Sequence, residues 1–221
     1  MESVDTSGTA WWSIAADLVL LALFGFVAVM VLRGRPRRAP ALAVVAVLVI
    51  GIPSLLQFAV PAVGRVLERD PGRTWEHAEW WRPVTALLAQ DGGLVAALFN
   101  LVVVAYVVLV AEQAWARGRT LLAFLGTSVV VNLIALAWGG HGGGSSFAVD
   151  GTMLALAVRT ALTRPDAAIR VIAVVMTAIG AGLAIAGDAH GLAMLVGAAI
   201  GILITAFELA RRRLGRSPAA R

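Results

Sequence analysis

Five notable polar or ionisable side chains lie inside the long apolar stretches that follow the first one, or at the ends of these stretches. They are Asn100, Asn132, Asp150, Asp188 and His190. An aspartate at mid-membrane costs about 2.5–3.5 kcal/mol, so an ionisable residue of this kind marks a functional site by default. A histidine and two carboxylates could form an ion pair, activate water as an aspartyl dyad, or relay protons. These residues are therefore the first candidates for chemistry in this chain.

Each candidate also has a purely structural interpretation. Asn100 can hydrogen-bond a neighbouring helix, and Asp150 can cap the helix that continues with GTMLALA, where an aspartate gains about 0.3–1 kcal/mol. Asp188 and His190 can form a capping pair at the membrane interface. His141, within GGHGGG, is typical of a solvated loop residue. Since no cluster of His, Cys, Asp or Glu has the spacing of a metal site, neither a metal nor another cofactor is expected.

The composition indicates that the elements carrying these residues are assembled in lipid. The chain has 221 residues, 60% of them hydrophobic, and a mean hydropathy of +0.87. A soluble domain would have about 45–50% apolar residues. The 18 basic residues are all arginines and lie beside the apolar stretches, where they indicate topology and lipid-headgroup contacts, not nucleic-acid binding. Cysteine is absent, which excludes disulfides and thiolate chemistry. We therefore expect an integral membrane protein whose partner is the lipid bilayer.

Seven apolar stretches are predicted to be membrane-spanning helices, since about 20 residues cross the hydrocarbon and fewer suffice inside a bundle. They are residues 11–32, 41–60, 94–111, 120–138, 148–163, 169–187 and 190–209. The chain starts with Glu2 and Asp5, whereas a signal peptide starts with basic residues, so the first stretch is predicted to be a retained span. The predicted fold class is all-α, a polytopic membrane helical bundle.

Arginines recur on alternate connections and predict the orientation of the bundle. The Arg-rich connections are residues 33–40, 116–120, 159–170 and 211–216. Because cytoplasmic loops of membrane proteins are enriched in Lys and Arg, the N-terminus is predicted outside and the C-terminus in the cytoplasm. The predicted location is a bacterial plasma membrane. In this orientation Asn100, Asp150 and His190 lie at a similar depth near the outer face, although they are far apart in the sequence.

Two segments depart from a plain series of spans. The long loop 61–93 contains an apolar patch, Val84–Ala89, that is too short to span. This patch is predicted to form an amphipathic element at the outer interface. The stretch 148–163 is also short, and a short helix is stable in a bilayer only when its neighbours enclose it. We therefore expect this stretch to lie at the centre of the bundle.

The last predicted span has the pattern of a closely packed helix. Gly197 and Gly201 are four residues apart, a spacing that lets two helices approach closely. His190 precedes Gly197 by seven residues and so lies on nearly the same helical face. The histidine is therefore predicted to point at the helix against which this span packs.

Several motifs, in this order, resemble the rhomboid intramembrane serine protease family over about residues 41–209. WWRPVT resembles the Trp-Arg signature of the family's first outer loop, and LFN resembles part of its second core helix. AVDGTMLAL resembles the stretch that opens the fourth core helix, and AHGLAMLVGAAIG resembles the last core helix with its catalytic His and spaced Gly. The residues at these motif positions are Trp81, Arg82, Asn100, Glu112, Asp150, Gly151, His190, Gly197 and Gly201.

The resemblance implies a six-helix core with one extra N-terminal helix, a 1+6 architecture. Residues 1–40 would form the extra transmembrane helix and a basic cytoplasmic loop. Residues 41–210 would form the rhomboid-like core, including the long outer loop 61–93. Residues 211–221 would form a basic cytoplasmic tail.

The resemblance also assigns roles to single positions. In this family a serine attacks the peptide carbonyl, the histidine of the last helix takes its proton, and a histidine and an asparagine stabilise the oxyanion. His190 matches the general base and Asn100 the oxyanion asparagine, but Ala96 stands where the oxyanion histidine is expected. Asp150 stands at the nucleophile position, where it is predicted to form an ion pair with His190. The resemblance thus implies a catalytically inactive pseudoprotease that binds transmembrane helices of client proteins beside its second and fifth core helices.

Three alternatives stay open. Ser145 or Ser146 can act as nucleophile beside His190, which would make the chain an active rhomboid-type serine protease. Asp150 and Asp188 can form an aspartyl dyad. Asp150, His190 and Asp188 can conduct protons or serve a small transporter, although the inner halves of the spans are apolar and offer no path across the bilayer. Whether the protein is an enzyme therefore depends on the side chain that lies beside His190.

Overall fold

The computed structural model describes residues 11–36 and 38–214, and the side chains of residues 15–36 and 38–213. Glu2, Asp5 and most of the predicted tail lie outside the described residues. Within them the chain forms ten α-helices, one 3₁₀ helix and no strand. In chain order these are α1 (Trp11–Leu32), α2 (Ala41–Ala59), α3 (Pro61–Leu67), α4 (Pro71–His77), α5 (Arg82–Thr85), the 3₁₀ helix (Ala86–Leu88), α6 (Gly93–Ala114), α7 (Arg117–Ala137), α8 (Ser146–Thr163), α9 (Ala167–Ile185) and α10 (Ala189–Leu214).

Six of these helices are long and apolar enough to cross a membrane. They are α1, α2, α6, α7, α9 and α10. The described part of the chain is therefore all-helical, and the protein is an integral membrane protein. The sequence predicted a seventh span at 148–163, but α8 does not qualify by composition, because it contains Asp150, Arg159 and three threonines.

Helix α8 lies at the centre of the bundle. Eleven of its 18 residues are buried, and it packs against α6, α7, α9 and α10. The hydroxyls of Thr152 and Thr160 donate to the carbonyls of Ala148 and Leu156 one turn earlier, so neither polar group is left without a partner. Enclosure by neighbouring helices thus makes a short and partly polar helix stable here, and its predicted central position is confirmed.

The backbones of α8 and α10 are in direct contact. A Cβ atom on Gly197 would overlap the backbone of Gly151, and a Cβ atom on Gly201 would lie 2.5 Å from the carbonyl oxygen of Ala155. The contact advances by four residues on both helices, so α8 and α10 run parallel and begin at the same end of the bundle. Glycine at both positions of α10 permits this distance, because any side chain would push the helices apart.

The long loop between α2 and α6 is folded onto one end of the bundle. Arg82, at the start of α5, is only 1% exposed. Its guanidinium donates to the backbone carbonyls of Arg65 and Glu68 and to the carboxylate of Glu79. A buried arginine with three acceptors therefore joins α3 to α5.

The second half of the apolar patch Val84–Ala89 is buried in the protein. Ala86, Leu87 and Ala89 are buried, and their segment packs against α2 and α8. The hydroxyl of Ser54 on α2 donates to the carbonyl of Leu88 at 2.8 Å and holds the segment in place. The patch is short and apolar because it fills space inside the bundle.

Helix α1 packs against the bundle along one face. The buried side chains on this face, spaced three or four residues apart, are Leu20, Phe24, Val27, Ala28 and Val31. They face α6, α8 and α9, and the ring of Phe24 lies edge-on to that of Tyr106, with the centroids 5.7 Å apart. Helices α6 and α9 hardly touch each other, so α1 fills the space between them.

Candidate active site

A glycine-rich loop leads into α8, whose first residue is Ser146. Gly142 has a φ of 99°, which favours glycine, and it pairs through its backbone with Arg69. A Cβ atom on Gly143 would lie 2.6 Å from the carbonyl oxygen of Ala86, so the loop passes too close to that segment for any side chain. These two glycines thus fix the path of the chain into the first turn of α8.

Ser146 lies beside His190, the second residue of α10. The Ser146 Oγ atom is 3.0 Å from Nε2 of His190, and Nδ1 of His190 is 2.7 Å from Oδ1 of Asp188. The backbone N–H of His190 also donates to Oδ1 of Asp188 at 2.9 Å. The ring of Phe147 lies edge-on to the imidazole, with the centroids 5.2 Å apart. Serine, histidine and aspartate therefore form a continuous chain of hydrogen bonds.

The hydrogen-bond partners determine which atom of the neutral imidazole carries the proton. An ionised carboxylate only accepts, so Nδ1 of His190 donates to Asp188. Nε2 is then an acceptor, and the hydroxyl of Ser146 donates to it. A base that faces a hydroxyl and is oriented by a third group is the arrangement that activates a serine nucleophile.

The charge of Asp188 is held by the same contacts. Asp188 precedes α10 and lies outside the membrane-spanning helices. Partial burial raises the pKa of its carboxyl, but the hydrogen bonds and charge of His190 outweigh burial and hold the pKa below its ordinary value. Asp188 is therefore ionised at neutral pH, as an orienting group for a histidine base must be.

The predicted ion pair between Asp150 and His190 is wrong. Both ring nitrogens of His190 have other partners, and the Asp150 carboxylate has no cation within 4.0 Å among the described side chains. Asp150 follows Ser146 by four residues and so lies on the same face of α8, one turn deeper. The residue beside the imidazole is therefore Ser146, not Asp150. Ser145 is fully buried, and its Oγ faces Gln90 instead.

A small cavity of about 30 Å³ opens between these groups. It has room for a single water molecule, and the polar lining offers the partners that a buried water needs. The apolar part of its wall comes from α1, α6 and α8. The polar lining residues are Asp17, Asn100, Ser146, Asp150 and His190.

Asn100 is held by a network that the sequence did not predict. Its Nδ2 atom donates to Oε1 of Gln90 at 2.9 Å, and Nε2 of Gln90 lies 3.4 Å from Oγ of Ser145. The backbone of Gln90 is in turn bonded to both ends of the Gln57 amide, at 2.8 and 3.2 Å. A glutamine in the second predicted span was a signal for Gln57, but nothing in the spacing indicated Gln90.

Asp17 of α1 is a second residue that the sequence interpretation missed. It is part of the cavity wall, together with Leu21 one turn later. The signal for it is an aspartate inside a predicted span, but the candidate residues came from the spans after the first. Helix α1 therefore contributes a carboxylate to the candidate site.

The other residues at motif positions lie away from Ser146 and support the fold. Trp81 is half exposed. Glu112, 2% exposed, accepts from the backbone N–H groups of Leu42 and Ala43 and from Nε of Arg117, so it caps α2. Arg82 holds the folded loop, and Gly151, Gly197 and Gly201 lie at the helix crossing. Asn132, a candidate outside the motif positions, accepts from Arg69 and donates to Ser128.

Ala96 lies one turn before Asn100 and is not part of the cavity wall. No group of three or more His, Cys, Asp or Glu side chains in the described part of the chain is placed to hold a metal ion. Neither a scan against models of protein families nor a search of curated proteins finds a match to the chain. The features of the protein that indicate a function are therefore the contacts around Ser146 and His190.

Proposed function

We propose that the protein is a serine-type intramembrane protease of the rhomboid kind, with Ser146 as nucleophile and His190 as general base. The observation that carries this proposal is the hydrogen-bonded series Ser146 Oγ, His190 Nε2, His190 Nδ1 and Asp188 Oδ1, with distances of 3.0 and 2.7 Å. The series lies in a bundle that contains six helices apolar and long enough to cross a membrane, so the proposed substrate is a peptide bond near a membrane surface.

The geometry supports a two-step reaction. Oγ of Ser146 attacks the carbonyl carbon of the peptide while Nε2 of His190 takes the hydroxyl proton. Collapse of the tetrahedral intermediate breaks the C–N bond, and His190 returns the proton to the leaving amine. Water then attacks the acyl ester on Ser146, and His190 again takes and returns the proton. Asp188 keeps Nδ1 of His190 protonated and stabilises the positive charge that forms on the ring.

The oxyanion has fewer side-chain donors than the resemblance implies. Asn100 lines the cavity beside Ser146 and offers an amide, but Ala96 offers none. The first amides of α8 have no acceptor within the helix, so they and the positive end of its dipole supply the remaining stabilisation. Asp150 lies one turn deeper and, with the small cavity, holds the water for the second step.

Binding of a transmembrane helix without cleavage is the second candidate. One observation favours it: Ala96, one turn before Asn100, cannot donate to an oxyanion. In that case the contact between Ser146 and His190 would be a remnant that only stabilises the fold.

A fluorophosphonate probe distinguishes the two candidates. We expect purified protein in detergent to be labelled, labelling to be lost in Ser146→Ala and His190→Ala, and labelling to persist in Ser145→Ala. Ser145 is the matched control because it is adjacent, is the same residue type and does not contact His190. Thermal unfolding of each variant shows whether it is folded. Absence of labelling in a folded wild-type sample would contradict the protease and favour helix binding.

A further inference from the structure

A second polar cavity lies at the opposite end of α8 from Ser146. It has a volume of about 180 Å³ and lies where the ends of α1, α8 and α10 meet. Four guanidinium groups and two hydroxyls make up nearly all of its wall. The residues are Arg35, Arg159, Thr160, Thr163, Arg164 and Arg212.

Among the described residues, the wall of this cavity contains four arginines and no carboxylate. Glu208 is the carboxylate that contacts this group from outside the wall, and it is shared between Arg159 at 3.0 Å and Arg119 at 2.7 Å. Partial burial and then the charges of Arg164, Arg159 and Arg38 lower the pKa of Arg35 from its ordinary value. The guanidinium groups repel one another, and the single carboxylate of Glu208 is shared. An anion bound between the arginines would therefore be stabilised by their charges.

The arginines retain donors for which residues 11–36 and 38–214 offer no acceptor. Arg35 and Arg164 each donate through Nη1 to a helix-end carbonyl, that of Ala114 at 2.8 Å and that of Met30 at 2.6 Å. These contacts explain part of each side chain's position, and the other N–H groups of these two guanidiniums have no acceptor among the residues that the structure describes. Nε of Arg159 is buried and has no acceptor among the described residues. The guanidinium donors in this cavity therefore need an acceptor that the residues of its wall do not provide.

We propose that this cavity binds a phosphate group. Arginine forks match the oxygen atoms of a phosphate, which accepts several charge-assisted hydrogen bonds at once. The hydroxyls of Thr160 and Thr163 already donate to the carbonyls of Leu156 and Arg159, so the guanidinium groups supply the donors. The volume accommodates a phosphate and a few attached atoms, but not an acyl chain.

The position of the cavity favours the phosphate of an anionic phospholipid headgroup over free phosphate. The cavity lies at the ends of apolar spans, at headgroup level, and basic pockets between spans at this level bind anionic lipids. A bound phosphate would join Arg35, after the end of α1, to Arg159 and Arg164 at the end of α8 and to Arg212 on α10. This inference does not rest on the proposed protease activity.

Ligand-dependent thermal unfolding of the full chain tests the proposal. Purified protein in a neutral detergent is titrated with phosphatidylglycerol, phosphatidylcholine or inorganic phosphate. We expect phosphatidylglycerol to raise the melting temperature, phosphatidylcholine to leave it unchanged, and inorganic phosphate to act only at much higher concentration. Stabilisation by inorganic phosphate but not by the anionic lipid would support the site and assign it to a soluble ligand.

Two neighbouring arginines provide matched variants. Arg212 lines the cavity, whereas Arg213 is also exposed but does not line it. Arg212→Gln is expected to weaken the effect of phosphatidylglycerol at least fivefold, and Arg213→Gln to change it less than twofold. Native mass spectrometry should show less bound phosphatidylglycerol in Arg212→Gln than in the wild type or in Arg213→Gln. The proposal would be overturned if both variants lost the stabilisation by phosphatidylglycerol equally. It would also be overturned if neither phosphatidylglycerol nor inorganic phosphate raised the melting temperature of the wild type.

Discussion

Gly197 on α10 lies directly against Gly151 on α8, with no space between the two backbones for a methyl group. This contact lies five residues after Ser146 on one helix and seven after His190 on the other. Because the helices run parallel, the crossing places the imidazole within hydrogen-bond distance of the hydroxyl, 3.0 Å from Oγ to Nε2. The candidate site therefore depends on a glycine contact that is not part of it.

Substitution of Gly197 should destabilise the bundle. In Gly197→Ala the new methyl overlaps the Gly151 backbone, which cannot move away, and overpacking of this kind costs about 1–3 kcal/mol. Gly182→Ala on α9 is the control, since a Cβ atom there meets nothing within 4 Å. The free energy of unfolding in detergent is the measurement. Equal stability of the two variants would show that α8 and α10 are not held at this distance.

Asp188→Asn should slow labelling of Ser146 while the protein stays folded. An amide does not stabilise the imidazolium and can select the wrong tautomer, so we expect a loss of about 10²–10⁴-fold in the labelling rate. Asp166→Asn is the control, because Asp166 caps α9 and asparagine caps a helix equally well. An unchanged rate in Asp188→Asn would remove Asp188 from the proposed mechanism.

The pH dependence of stability provides a separate test of Asp188. Its folded-state pKa is below the ordinary value, so its ionised form stabilises the folded protein. This contribution is fully present above the unfolded-state pKa, near 3.8, and is lost as the pH falls through the folded-state pKa. Below pH 4 the free energy of unfolding should therefore fall more steeply in the wild type than in Asp188→Asn. Parallel curves would contradict the Asp188–His190 interaction.

The two partners in the Glu112–Arg117 pair should differ in their effect on stability. Glu112→Ala leaves the part-buried amide of Leu42 and the buried amide of Ala43 without this acceptor, which costs about 1–3 kcal/mol. Arg117→Ala removes a side chain that is 61% exposed, and the carboxylate retains both amides, so we expect less than about 1 kcal/mol. Chemical unfolding of both variants is the measurement. A larger loss in Arg117→Ala would mean that the ion pair, and not the helix cap, stabilises this end of α2.

The helices, and the close packing of α10 against a neighbouring helix, could be predicted because their signals are local. Apolar length marks a span, and glycines four residues apart mark a close crossing. The partner of His190 was predicted one turn too deep, because residues four apart on a helix share a face. The sequence alone did not show that α8 begins at Ser146, and this boundary decides which turn faces the imidazole.

Contacts between polar residues far apart in the chain could not be predicted from the sequence. Gln90 joins Asn100, ten residues later, and Gln57, 33 residues earlier, through a loop whose fold depends on the buried Arg82. No periodicity links these positions, so each glutamine resembled an ordinary polar residue. The contribution of Asp17 likewise depends on where α1 packs, which no local pattern specifies.

Helix α1 should limit access to the candidate site. It fills the space between α6 and α9, and its Asp17 and Leu21 form part of the cavity wall beside Ser146. Phe24→Ala removes a fully buried ring from its contact with Tyr106, which should loosen α1. We expect this variant to be labelled several-fold faster than the wild type by a bulky fluorophosphonate. Phe26→Ala, which removes a ring that is 45% exposed on the same helix, should label at the wild-type rate.

Access through α1 can also be measured without catalysis. The chain contains no cysteine, so Val103→Cys places a single thiol in the cavity wall, at a position that is 8% exposed. A membrane-permeant maleimide should modify this thiol slowly in the wild-type background and several-fold faster with Phe24→Ala. If α1 is only a passive anchor, both rates will be equal and the helix will not control the entrance. If both are fast, the space between α6 and α9 is already open to a substrate helix, and α1 is displaced without cost.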